Sequence, residues 1–579
     1  MLDYSAIGNE TAGTVSNYLA HWLAVRKISH VFTLPGGMIA PLLDAIHRYG
    51  ETEIVTMHHE QGVAFAVDGA GRFHGTPFVA LATAGPGATN MLTPIASAFL
   101  DSIPAIFITG QVQSYLLKGE RPVRQFGFQE CDVVTMAAPV SKAAWRAVSG
   151  EQVPRLLDEA LSLSVSGRPG PVLIEIPSDV QTMAVPPDAR PLAADTSSGN
   201  FSDMKIIAEL FDAISAAERP IALIGGGVRA AHAAPAVRAL LGRIGLPAAA
   251  SVTALDVLPG DDPLRLGMIG MYGNRWVNLA VAQADVVLVL GSRLDFGTIG
   301  ADVAAWGRGR RIFQVDCDAG EMRRVRRVRG ITADLGAFVD AALPAAQARD
   351  FPEWKRWRND LAELRERWPD TGELAGCPGI NPNVFMRQLS VASKAAAAYV
   401  IDEGQHLFWA CQSIQPADGQ RFLPALGLGP CGWAFPAAIG VACTARRPVV
   451  VVAGDGAFQF NIQELQTVAR GGLPIKIVIL DNGTHGSVRQ LQEQAFGRRY
   501  PATVLGYDAP DFAAVARAYG IGSRAVSEPD DTEDALSWLW QDPEAPALLH
   551  VRIATDLNVY PNVPFGAPLT QMESWHRGG

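Results

Sequence analysis

Cysteine is scarce in this chain. There are six in 579 residues and none forms a CxxC pair, which excludes both a disulfide framework and a zinc-finger set. A basic excess is missing too: 48 Lys and Arg stand against 58 Asp and Glu, for a net charge of −10. That balance excludes nucleic acid and anionic membranes as bulk partners. No uninterrupted apolar run reaches about 18 residues, so no membrane span is expected. Met1–Glu10 lacks a basic stretch leading into an apolar one, and no secretory signal is expected. Charged residues make up only 18% and hydrophobic residues 48%, too apolar a mixture for a disordered chain. The expectation is a large, soluble, cytoplasmic protein of about three or four domains.

Glycine is abundant, at 57 residues, and short apolar runs recur. Ser29–Thr33, Phe78–Ala82, Ala105–Thr109, Val172–Ile176, Ile221–Ile224, Val286–Leu290, Val449–Val452 and Ile475–Leu480 lack polar alternation and are separated by helical patterns. Strands of this kind belong to parallel sheets covered on both faces. The fold class is therefore α/β, with three doubly wound parallel-sheet domains. The Pro- and Ser-rich stretch Val185–Asn200 reads as one linker. A second lies near Leu343–Asn383 and includes a charged helix over Trp354–Trp368. The expected domains are 1–185, 201–343 and 380–555, followed by an irregular arm, 556–579, suited to be a lid or a loose tail.

The strongest chemical signal begins at Val449. A buried strand runs into Gly454-Asp455-Gly456 and Ala457, a helix is expected to open near Asn461, and a second strand ends at Asn482. Asp455 and Asn482 would sit at the carboxyl ends of neighbouring strands, where open α/β sheets bind ligands. A carboxylate, an amide oxygen and a backbone carbonyl suit Mg²⁺, which also keeps phosphate oxygens as ligands. The glycines allow close approach to a diphosphate, with a helix N-terminus facing its charge.

This segment resembles the thiamine-diphosphate motif of the acetolactate synthase and 2-hydroxyacyl-CoA lyase superfamily, and the similarity runs over nearly the whole chain. His59-Glu60-Gln61, Gly37 and Ala84–Asn90, which includes Pro86, resemble the family's pyrimidine-binding domain. The resemblance implies that Glu60 activates the cofactor: a carboxyl bonding the pyrimidine ring nitrogen favours the imino tautomer that deprotonates the thiazolium. It places Gln405 and His406 at the diphosphate, Gly429 at the pyrimidine amine and Cys431 where the family carries a bulkier residue that bends the cofactor. Thr484 would lend a backbone carbonyl to Mg²⁺ beside Asp455 and Asn482. Gln129 resembles a residue lining the active site. Gly427–Gly432 satisfies GxGxxG as well, but Pro430 and the absence of a strand immediately before it argue against a dinucleotide loop.

The middle domain resembles one that binds FAD in acetolactate synthases, and ADP or the adenosine end of CoA in the lyases. Gly226, Gly227, Arg293, Asp316, Cys317 and Asp334 are its candidate nucleotide residues. Arg323–Arg329 is a basic run, and Ser178 stands where acetolactate synthases commonly have Lys. Gly297 replaces the family's carboxylate-binding Arg, and Leu491 replaces a Trp. These departures, with Glu493 as a possible base for a 2-hydroxy carbonyl, favour a 2-hydroxyacyl-CoA lyase yielding formyl-CoA, with a CoA thioester as substrate. The alternative is acetolactate-synthase-like acyl transfer from pyruvate. The resemblance further implies a homodimer or homotetramer with the thiamine site between chains. A flavin-type oxidoreductase and a non-catalytic homologue are the remaining alternatives; Glu60, Asp455 and Asn482 together argue against the latter.

Overall fold

The computed structural model describes residues 13–186, 189 and 199–575. The expectations for Met1–Glu10, for most of the Val185–Asn200 linker and for residues 576–579 of the arm lie outside the described residues.

Three six-stranded sheets follow one another along the chain. The first contains β1 (His30–Thr33), β2 (Glu53–Thr56), β3 (Val79–Ala82), β4 (Ala105–Gln111), β5 (Ala143–Arg146) and β6 (Pro171–Pro177). The second contains β7 (Pro220–Ile224), β8 (Ala248–Ala250), β9 (Arg265–Met268), β10 (Val286–Leu290), β11 (Arg311–Asp316) and β12 (Val328–Thr332). The third contains β13 (Ala398–Ile401), β14 (Arg421–Pro424), β15 (Val449–Gly454), β16 (Ile475–Asp481), β17 (Gly522–Val526) and β18 (Ala547–Arg552). Every pairing is parallel, as the unbroken apolar strands require.

The first and third sheets share one topology. Their orders, β2-β1-β3-β4-β6-β5 and β14-β13-β15-β16-β18-β17, match strand for strand. The second runs β12-β11-β10-β7-β8-β9. Strand order reverses between β1 and β3, between β13 and β15, and between β7 and β10. At each reversal the connecting helices leave to opposite faces and open a crevice at the strands' carboxyl ends. The glycine-rich motifs lie at these three places: Gly36-Gly37 and Ala84–Pro86, Gly404–His406 and Gly454–Gly456, Gly225–Gly227 and Gly291–Arg293.

The chain divides into two compact units. One comprises the described residues of Met1–Thr196 with Gly427–Arg446 and Asn461–Gly471; the other comprises Ser197–Leu426, Arg447–Phe460 and Gly472–Gly579. Within the first, the Ala434–Ala445 helix packs closely along the Glu60–His74 helix. Glycine is required at this crossing. A Cβ on Gly440 would overlap the Ala66 carbonyl, and one on Gly69 would overlap that of Ala437.

Within the second unit, the charged helix expected to be part of a linker is instead packed. It spans Lys355–Arg367 and buries Trp357 and Leu361. The Trp354 and Trp357 indoles donate to the Ala217 and Pro220 carbonyls at 2.9 and 3.2 Å. Charge dominated the sequence pattern, but two aromatic side chains and a leucine on one face decide the packing. Residues 556–575 form an irregular arm, yet Leu557, Val559, Val563 and Leu569 are buried. Arg275 donates to the Glu573 carbonyl at 2.8 Å and to the Ser574 hydroxyl at 2.9 Å, so this part of the arm is pinned.

Two alanine substitutions test the helix crossing. Gly440→Ala should destabilise by about 3 kcal/mol, because the backbone it meets cannot yield. Gly242→Ala lies in a helix interior with nothing within 4 Å of the added carbon, and should stabilise by up to about 1 kcal/mol. Urea unfolding of both variants reads the contrast; equal stabilities would contradict it.

Candidate active site

The first unit carries one group of candidate site residues. The Glu60–His74 helix starts where His59, in extended conformation, caps it by accepting from the Gln61 N–H at 3.0 Å. Glu60 therefore stands at the helix's first residue, and its side chain is buried. The Asn90 amide donates to Glu60 Oε2 at 2.9 Å. A Cβ on Gly87 would sit 3.3 Å from Glu60 Oε1, so the turn after β3 closes directly on the carboxylate. Pro86 opens the short Pro86–Asn90 helix. Gln129 has a positive φ of 66°, and its backbone lies against Gly85. Gly37 begins a short 3₁₀ turn after β1 and has open space where a side chain would be. Gly87 and Asn90 thus meet the Glu60 carboxylate, and Gln129 meets Gly85 two residues earlier in the same turn.

The same unit contains Glu464, whose side chain is fully enclosed. It accepts from the His58 N–H at 2.9 Å and from the Thr467 hydroxyl at 2.6 Å, fixing the approach to Glu60. No local pattern around Glu464 signals this role.

The second unit carries the other group of candidate residues. The expectation that a helix opens near Asn461 is corrected: the helix starts at Asp455 itself, directly after β15, and Asn461 breaks it with φ −133°. Asp455, Gly456 and Ala457 therefore form its first turn. Asp455 is only 2% exposed, and the Tyr507 hydroxyl donates to its Oδ2 at 2.8 Å. Burial, reinforced by the Asp481 carboxylate, pushes the Asp455 carboxyl up to about 7. Asn482 and Thr484 form the turn after β16. The Asn482 side-chain oxygen accepts from the Thr484 N–H at 3.1 Å, and its amide donates to Gln405 Oε1 at 3.1 Å.

Gln405 in turn donates to Gln490 Oε1 at 3.0 Å and to the Leu557 carbonyl at 3.2 Å. Gly486 has no room for a side chain, because a Cβ there would overlap Gln405 Oε1. His406 is buried; burial pushes its pKa down to about 3, so the ring is neutral, and its Nε2 has no hydrogen-bond partner. A Cβ on Gly454 would lie 2.9 Å from His406 Nδ1, so this strand end also requires glycine. Glu403, beside them, is pushed up to about 7 by burial and by the Asp402 charge. Its Oε2 is buried without a partner.

Tyr507, Gly486 and Glu403 were not found in the sequence. Only Gly486, a second glycine after Asn482-Gly483, carried a usable signal. Glu493 does not stand free: its carboxylate takes Arg489 at 3.2 Å, Arg498 at 3.6 Å and the Asn558 amide at 3.0 Å. Leu491 is 52% exposed on the same helix. Gly429 has a left-handed φ of 68°, and Cys431 is exposed in the same loop. That loop does follow a strand closely, since β14 ends at Pro424; four residues with no β-branched side chain left it illegible.

In the second sheet, Gly227 donates its N–H to the Gly291 carbonyl at 2.9 Å. A Cβ on Gly227 would meet the Gly291 Cα at 2.7 Å, so close approach of two loops accounts for this glycine. Gly226 faces the Thr253 hydroxyl. Asp316 accepts from the Asp318 N–H at 2.9 Å, and Asp334 caps the Leu335–Gln347 helix through the Ala337 N–H, also at 2.9 Å. Cys317 is exposed, and Arg293 follows Gly291 in the β10 loop. Among the described residues no three His, Cys, Asp or Glu side chains converge to hold a metal, and no helix is long and apolar enough to cross a membrane.

Asp455 and Glu403 make stability depend on pH. In the folded, metal-free protein both hold protons that the unfolded chain releases near pH 4. The contribution of these two groups to stability should therefore fall as pH rises from about 4 to about 7 and level off above that, against the opposite slope of His406, which stays neutral in the folded protein. Asp455→Asn should remove part of this slope. Urea midpoints at about pH 5 and about pH 8 measure it, and identical slopes in both proteins would contradict the assignment.

Comparison with known proteins covers the same elements. A family described as "Thiamine pyrophosphate enzyme, N-terminal TPP binding domain" matches residues 13–136. The central domain of such enzymes matches 207–342, and the C-terminal TPP binding domain matches 402–551. The chain is 35% identical over 565 residues to the acetolactate synthase isozyme 2 large subunit of Escherichia coli, covering 96% of this chain and 98% of the relative. It is 33% identical to the isozyme 1 large subunit of the same organism, covering 96% and 97%. With the acetolactate synthase large subunit of Lactococcus lactis it shares 32% identity, covering 94% and 93%.

Proposed function

The chain belongs to the thiamine pyrophosphate enzymes of the acetolactate synthase superfamily, and from that premise we propose that it transfers an acyl group from a 2-keto acid such as pyruvate to a second carbonyl compound. One observation carries this reading: the 35% identity to an acetolactate synthase extends over 96% of the chain, so all three sheets are matched together. It displaces the expectation of a 2-hydroxyacyl-CoA lyase. That expectation rested on Gly297 in place of an Arg, on Glu493 as a base and on the nucleotide-type central domain, and the Glu493 carboxylate is held by Arg489, Arg498 and Asn558. The relatives compared are named acetolactate synthases.

Thiamine diphosphate, when bound, supplies an electron sink for the bond broken next to the carbonyl. In this reading Glu60 holds a proton at the pyrimidine ring, and Asn90 fixes which carboxylate oxygen is turned to it. Gln129, against Gly85, borders the same crevice. Asp455, the Asn482 side-chain oxygen and the Thr484 carbonyl would hold Mg²⁺. The fit rests on Asp455: a buried carboxylate at a pKa of about 7 lacks a counter-charge that a hard cation supplies. The buried His406 Nε2 has no hydrogen-bond partner, and a bound group would supply one. Gly226, Gly227, Arg293, Asp316, Cys317 and Asp334 would line a nucleotide, FAD or ADP, at the central crevice. The Glu60 half of one chain would serve the Asp455 half of another, in a homodimer or homotetramer.

The decisive assay supplies pyruvate, thiamine diphosphate and Mg²⁺ and follows CO₂ and acetolactate. Glu60→Gln should lower kcat by about 100-fold or more with the fold intact. Formyl-CoA release from a 2-hydroxyacyl-CoA, with no product from pyruvate, would reverse the order of the two readings.

A further inference from the structure

Asp68, Arg72 and Asp101 form a buried charge cluster that the mechanism above does not use. Arg72 Nε lies 3.1 Å from Asp68 Oδ1, and its Nη1 lies 2.7 Å from Asp101 Oδ2. The three side chains are at most 5% exposed. Two carboxylates against one guanidinium leave an excess negative charge away from water, which must be met by hydrogen-bond donors.

Those donors come from one loop. The Gly427 N–H donates to Asp101 Oδ1 at 2.8 Å, and the Trp433 indole donates to Asp68 Oδ2 at 2.6 Å. Arg72 also sits over the Trp433 ring, 5.1 Å from its centroid. A third hold comes from the Asn461 amide, which donates to the Gly432 carbonyl at 2.8 Å. Both ends of the segment 427–433 are thereby fixed, and Leu428–Cys431 projects between them. Leu428 is 42% exposed, and Gly429 and Gly432 both have left-handed φ.

Asp68 and Arg72 lie one helical turn apart on the helix that begins with Glu60. Glu60 precedes Asp68 by two turns, about 12 Å along the axis. One rigid helix therefore carries the activating carboxylate at its start and grips the Gly427–Trp433 loop further along.

We propose that Arg72, with Asp68 and Asp101, is a positioning residue that sets the Gly427–Trp433 loop against the pyrimidine end of thiamine diphosphate. The inference rests on the proposed function, with Gly429 at the pyrimidine amine as the family resemblance implies, but the clamp itself consists of contacts within one compact unit. It separates two parts of cofactor recognition. The diphosphate end depends on Asp455, Asn482 and Thr484, and the pyrimidine end on the clamped loop.

Trp433→Phe removes only the indole donor and keeps an aromatic ring, and Arg72→Lys keeps a cation but loses the forked contact. Binding to each variant is measured by calorimetry with thiamine diphosphate plus Mg²⁺, and separately with Mg²⁺ and pyrophosphate, which lacks the pyrimidine. Both variants should bind thiamine diphosphate about tenfold more weakly, with pyrophosphate affinity unchanged. Deuterium exchange at the thiazolium C2 of the bound cofactor should slow in parallel. Equal losses for both ligands, or unchanged thiamine diphosphate affinity with only a lower Tm, would overturn the proposal. A wild-type protein that binds pyrophosphate but not thiamine diphosphate would instead defeat the proposed function on which it rests.

Discussion

Parallel pairing is the constraint on which the rest of this structure depends. It places the carboxyl ends of all strands of a sheet along one edge, and a reversal of strand order opens that edge into a crevice. The reversals between β1 and β3 and between β13 and β15 each put a glycine turn and a carboxylate at the opening: Gly87 with Glu60, and Gly454 with Asp455. Because the two sheets share their strand order, the two residue groups proposed for the cofactor occupy the same architectural position in each sheet. The second sheet has its own reversal, but there the glycines serve mainly to let two loops touch.

Buried charge is treated differently in the two compact units. Around Glu60 the carboxylates are satisfied: Glu60 by Asn90, Glu464 by His58 and Thr467, Asp68 and Asp101 by Arg72 and the loop donors. At the third sheet's crevice, Asp455 and Glu403 are pushed up to about 7, and the His406 Nε2 and Glu403 Oε2 have no partner. Polar groups left uncompensated in this way cost stability, and they concentrate where a charged ligand restores the balance. Under the proposed function, the contrast suits an orienting role around Glu60 and, at the third sheet's crevice, binding of the anionic and metallic part of the cofactor.

The α/β class, the three sheets and the two carboxylates were legible because each leaves a local trace. Runs such as Val449–Val452 are too apolar for anything but a covered parallel strand, and Gly454-Asp455-Gly456 marks its end. Two short strands were not legible: Ala248–Ala250, held between β7 and β9, and the edge strand Arg421–Pro424 take their conformation from neighbours rather than from their own side chains. Tyr507 reaches Asp455 across 52 residues, and Trp433 reaches Asp68 across 365, so no window of sequence displays either contact. Glu493 shows the opposite failure. Its position suggested a base, but the partner that occupies it, Asn558, lies in the arm, 65 residues away.

The most direct measurement is a crystal structure of the protein grown with thiamine diphosphate and Mg²⁺. The pyrimidine ring should lie within hydrogen-bond distance of Glu60, with the diphosphate and metal at Asp455, Asn482 and Thr484. A diphosphate seated instead at the central crevice, by Gly226 and Arg293, with Glu60 away from any ligand, would contradict the assignment of the active site.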